Sequence, residues 1–161
     1  MTRLLASVGA TLFCAAVLAG QAVDPLTGTW ELNPARSKFV PASTAPKSQT
    51  RTYRIEGNEV IARHTGVDAR GNPTLIEYTA SMDGTLRPLK GYPDWDAISM
   101  KKIDPQTIDF TQYRDGKATL FGKTTLSKDG KTLTVRAKGT AANGEKVDMV
   151  AVFDRIGGTS E

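Results

Sequence analysis

Three dipeptides, Asp115-Gly116, Asp129-Gly130 and Asn143-Gly144, constrain most of what this chain can fold into. They stand fourteen residues apart, and each separates two runs in which apolar and polar side chains alternate. Asp-Gly and Asn-Gly between such runs signal tight β-hairpins, whose two central positions need positive φ. The equal spacing suggests an internal repeat. The side chains between the glycines do not match, so the spacing reads as hairpins of equal strand length in a meander.

The same pattern continues upstream. Predicted strands cover 48–56, 59–67, 73–82, 97–103, 106–114, 117–127, 131–139 and 146–155, with a short piece at 85–89. A first strand at 27–32 stops at Asn33-Pro34. There Asn33 caps a short helical turn reaching Lys38, with Pro34 at its first position, and Phe39 pins that turn to the body. Pro41 and Pro46 make 40–47 an ordered loop, not a helix pair. No segment has a helical period of useful length. Links this short make neighbouring strands antiparallel, and an open meander of this length leaves two edges that invite association. The expected fold is all-β, a single antiparallel up-and-down β-barrel of about eight to ten strands.

Residues 1–22 read as a signal peptide, with Arg3 ahead of an apolar run at 4–19 and small residues around Gln21. The run is short for a membrane span. Cys14, the only cysteine, follows Leu12 and Phe13, the wrong residues for a lipoprotein box. The expected organisation is a leader over 1–22 and one barrel domain over 23–161, periplasmic or secreted, with no membrane span after signal removal. Lacking disulfides, the domain must rely on its core. Removing Arg3 leaves 20 basic against 17 acidic residues, a net charge of about +3. Arg51, Arg54, Arg63, Lys101, Lys123, Arg136 and Lys138 are spaced singly along strands and read as solvated faces. No basic run tracks phosphates, so no nucleic-acid partner is expected.

Gly28 and Trp30 on the first strand resemble the first signature of the lipocalin and calycin superfamily, in which such a tryptophan plugs the closed end of the barrel. Arg155, near the end of the last strand, matches the arginine that packs across it. Gly28 to Asn33 with Ser37 and Phe39, the entry Lys47 to Thr50 and the hairpin Ser127 to Thr132 also resemble a group of small secreted bacterial lipocalin-like proteins. That likeness spans nearly the whole mature chain. It implies a lipocalin-like barrel in which Gly28, Trp30 and Arg155 close one end. The chain departs from lipocalins in ending too soon for a C-terminal helix and in lacking their middle signature. Pro34, Pro41 and Pro46 argue against the helix pair of fatty-acid binders. The opening is also similar to avidins, but only Trp30 and Trp95 are present, which disfavours biotin.

Inward parity on several strands mixes apolar and polar residues. Ala62 shares a face with His64; Ile76, Tyr78, Ala80 and Met82 share another, as do Phe110 and Gln112. Such an interior suits either a ligand pocket or a self-filled barrel with polar rims. Tyr53, Arg63, His64, Tyr78, Tyr92, Trp95 and Tyr113 are the candidate ligand-binding residues. His64, the only histidine, is the one side chain expected to titrate near neutrality. It has no nucleophile elbow, thiol or metal cluster beside it, so no catalytic residue is assigned. Asp94, Asp96, Asp104 and Asp109 match no metal loop and read as turn chemistry. No metal site and no cofactor are expected. Tyr92 and Trp95, flanking Pro93, either seal the barrel or present an anchor to a ligand or partner. The expectation is a monomeric exported protein, not an enzyme, binding a small hydrophobic or amphipathic molecule. The alternative is an envelope or extracellular protein-interaction module with a self-filled barrel.

Overall fold

The computed structural model describes residues 23–158. The expected leader at 1–22, Cys14 with it, and the last three residues lie outside that range. Eleven strands follow in order: β1 (Gly28–Leu32), β2 (Lys38–Val40), β3 (Ser48–Glu56), β4 (Glu59–Val67), β5 (Pro73–Ser81), β6 (Arg87–Pro88), β7 (Ala97–Asp104), β8 (Thr107–Arg114), β9 (Lys117–Leu126), β10 (Thr132–Thr140) and β11 (Lys146–Gly157). They form one sheet in the order β5-β4-β3-β1-β11-β10-β9-β8-β7-β6. Short links make β3 to β5, and β6 to β11, antiparallel to their sequence neighbours, and β1 joins the two halves by pairing with both β3 and β11. The result is an all-β, nearly closed antiparallel barrel of ten strands, with β2 added beside β11. Among the described residues no helix is long and apolar enough to cross a membrane.

Closure is uneven. Between β5 and the β6–β7 side the ladder reduces to two isolated bridges, Glu77 with Lys90 and Asp83 with Lys101. Backbone bonds from Lys102 N to Met82 O (3.0 Å) and from Gly84 N to Met100 O (2.8 Å) add to this seam.

Asn33 does cap a 3-10 turn, Pro34–Arg36, and its side chain accepts from Arg36 N. The residues after it differ from expectation. Lys38–Val40 form β2 against Asp148–Val150, so Phe39 is held by a ladder as well as by packing on the core. Alternation was too short there to show a strand over three residues. The hairpins differ too. Only at Asp115-Gly116 are both central residues at positive φ, 50° and 73°. At the other two turns the glycine alone is, because those loops are longer. Bonds Ser127 N to Thr132 O and Ala141 N to Glu145 O bracket four and three intervening residues, and such loops need one left-handed residue at their end.

Alternation fills the interior. On β10, Leu133, Val135 and Ala137 are buried while Arg136 and Lys138 face out. Each large apolar side chain buried this way contributes about 1.5–3 kcal/mol relative to exposure.

One end is shut. Trp30 is wholly buried, and its Nε1 donates to Leu26 O at 3.1 Å. The Arg155 guanidinium lies 4.0 Å from the indole centroid. It also donates to four carbonyls, Gly130 O at 2.7 Å, Thr27 O at 2.8 Å, Pro25 O at 2.6 Å and Gly158 O at 3.2 Å. Gly28 lies beneath at φ +145°, and a Cβ there would stand 2.4 Å from Arg155 Nη1. The glycine thus lets the cation reach the ring.

Candidate functional site

Above this floor the barrel is hollow. A cavity of about 370 Å³ runs up its axis, and its walls mix Ile76, Ile98, Met100 and Leu120 with a polar cluster. Neither Trp30 nor Arg155 lines it. The interior is therefore not self-filled, as the interaction-module alternative required. The outer end is bounded by the segment at Ser43 to Pro46, the turn at Asp68 to Arg70, the loop at Gly91 to Trp95 and Ala141.

The aromatic loop is tied on every side. Gly91 starts it at φ +91°, where a Cβ would sit 2.1 Å from Leu75 O. Only glycine lets the chain cross β5 that closely. Trp95 Nε1 donates to Thr119 Oγ1 at 3.0 Å, and Arg114 Nη1 donates to Pro93 O at 2.6 Å. Asp94 accepts from Ala142 N and Asp96 from Asp115 N, both at 2.9 Å. Tyr92 and Trp95 meet edge to face at 5.8 Å and pack on the core while lining the cavity. The other two carboxylates are elsewhere: Asp104 accepts from Gln106 N in a turn, and Asp109 faces Lys123 at 3.5 Å.

The polar cluster stands on the wall formed by β3, β4 and β5. His64 is 2% exposed. Its ring lies edge to face between Tyr53 and Tyr78, with both centroids at 5.6 Å. Neither ring nitrogen has a hydrogen-bond partner among the described residues. Burial first, and the nearby Arg51 charge second, hold its pKa well below the usual histidine value, so the imidazole is neutral. Burial likewise raises the Tyr78 and Tyr92 hydroxyls, which stay protonated as donors.

Of the seven candidate residues, Tyr53, His64, Tyr78, Tyr92 and Trp95 come together around the cavity. Arg63 and Tyr113 do not. Arg63 faces solvent and pairs with Glu77 at 3.1 Å. Tyr113 points outward beside Ser99. Both stand one residue from a buried neighbour, and alternation sends them to the other face.

Arg51 is the reverse correction. Read from sequence as a solvated strand residue, it is 7% exposed and lines the cavity. Its guanidinium lies 4.4 Å from the Phe153 centroid. Nε donates to Gln49 Oε1 at 2.9 Å, and Nη1 stands 3.5 Å from Tyr53 Oη. The signal was present, since Arg51 shares the parity of Tyr53 and Ile55 on β3. Gln112, inward beside Phe110, completes the cluster. Among the described residues no group of three His, Cys, Asp or Glu side chains is placed to hold a metal ion.

No protein-family model and no curated protein matches this sequence. Among solved structures the chain is similar to the zebrafish ileal bile acid-binding protein complexed with cholic acid. That match has 9% identity and a TM-score of 0.52, covering 82% of this chain and 99% of that one. It is also similar to apocrustacyanin C2, at 14% identity and a TM-score of 0.42, covering 86% of this chain and 64% of that one. At 9% identity the first likeness is one of fold alone, an antiparallel β-barrel.

Proposed function

We propose that this protein is exported and binds one small, partly apolar molecule inside its barrel. The observation that carries the reading is the 370 Å³ cavity above the Trp30 floor, walled by apolar side chains with a few convergent polar groups. The fold neighbour crystallised with cholic acid is a ligand binder, which supports the same reading by analogy only. Export rests on the leader pattern at 1–22.

The interaction-module reading needs Tyr92 and Trp95 free to meet a partner, and both instead pack on the core. An enzyme reading gains one feature, since His64 is buried, charge-coupled to Arg51 and beside the cavity. A general base must reach the proton it takes. His64 has no hydrogen-bond partner among the described residues and is enclosed by two tyrosine rings, which favours a binding wall over a catalytic pair.

Native mass spectrometry of the protein purified from its own compartment tests the proposal. The expected spectrum shows one retained small molecule in a 1:1 complex. A bare chain mass, with no response of tryptophan fluorescence to a panel of lipids and metabolites, would count against it.

A further inference from the structure

Deepening that reading, we infer that the ligand is an amphipathic organic acid whose carboxylate pairs with Arg51 while its apolar body fills the cavity. Arg51 is nine-tenths buried and carries its charge at any ordinary pH. Its protein contacts are the Gln49 amide oxygen, the Tyr53 hydroxyl and the face of Phe153. None of these is an anion. Among the described residues no Asp or Glu forms an ion pair with it, although eight other pairs form elsewhere on the chain. A buried cation without a counter-charge is costly, and buried charges are ordinarily paired. Here the unmatched charge faces a cavity, so an entering anion supplies what the protein omits.

The surroundings select for one negative charge. His64 is neutral and adds no second cation. Tyr53 Oη stands 3.5 Å from the guanidinium, and Tyr78 and Tyr92 line the same cavity. Their hydroxyls can donate to carboxylate oxygens that Arg51 does not satisfy. An arginine fork matches a planar carboxylate bidentately, which a point charge would not. The remaining wall offers Ile76, Ile98, Met100 and Leu120 to an apolar tail. At ~30 Å³ per water, 370 Å³ holds about a dozen waters, the scale of a medium-chain or aromatic acid.

The test is calorimetric titration of the full chain at pH 7.5 with a matched series: decanoate, decan-1-ol and decyltrimethylammonium. The expected result is decanoate at least 10-fold tighter than the alcohol, with the cation weakest. Arg51→Gln should remove the preference for the acid, so that decanoate binds no tighter than decan-1-ol. Arg51→Lys should keep the order of acid over alcohol at reduced affinity. The wild-type series decides the matter should a variant fail to fold. Equal affinity for decanoate and decan-1-ol would overturn the anion site and leave the binding reading standing. A preference for decanoate that survives in Arg51→Gln would overturn Arg51 as its source. If no member of the series enters, the binding reading falls and the anion site with it.

Discussion

His64 and Arg51 face opposite problems in the same wall. His64 can shed its charge, and burial makes it do so. Arg51 cannot. The histidine therefore registers in stability as a function of pH. Its folded pKa lies below the unfolded value near 6.5, so the unfolded chain takes up the proton more readily. Stability is complete above about pH 6.5 and falls as pH drops from there toward the folded pKa, by up to about 1.4 kcal/mol per pH unit. Arg51, Tyr53 and Tyr78 surround the ring; Arg51 keeps its charge, and burial holds the Tyr78 hydroxyl well above its ordinary value. The chain has a single histidine, so urea midpoints measured from pH 7.5 down to 5.5 should slope in the wild type and flatten in His64→Phe. An equal slope in both would mean the ring is not sealed in the wall.

At the scale of elements, the barrel is governed from its two ends. β1 and β11 meet at the floor, where Trp30 fills the axis and Arg155 ties the indole to four carbonyls. Trp30→Ala empties that space and should lower stability by roughly 3–5 kcal/mol, as for other buried large aromatics. Calorimetric melting checks it, and an unchanged melting temperature would contradict the floor's role. The mouth depends on how closely the aromatic loop crosses β5. Gly91→Ala sets a methyl against Leu75 O and forces a left-handed residue, at a cost of about 1–3 kcal/mol. The loop should lift, and Trp95, now wetter, should emit further to the red. An unaltered spectrum would show that the loop absorbs the methyl without moving.

For the molecule as a whole, the barrel was readable because turn dipeptides and period-two alternation both report local geometry. β3 and β4 start and end where alternation and the Gly57-Asn58 turn place them. β2 was not readable, since three residues paired across more than a hundred positions leave no local trace. The candidate site was legible in part. His64, Tyr53 and Tyr78 followed from polar residues on inward parity, and Arg51 had the same parity but was read by charge instead. Arg63 and Tyr113 show the converse, residue type weighed above the pleat. That no Asp or Glu among the described residues pairs with Arg51 is a fact of three-dimensional assembly, and no spacing in the sequence reports it. The cavity too depends on summed side-chain volumes across ten strands. A decanoate titration of isotope-labelled protein followed by NMR tests the Arg51 anion site residue by residue. Shifts should concentrate on Arg51, Tyr53, Tyr78, Tyr92 and Gln112, and leave the outer face at Phe121 and Lys138 in place. Shifts confined to that outer face, with the Arg51 guanidinium unmoved, would contradict it.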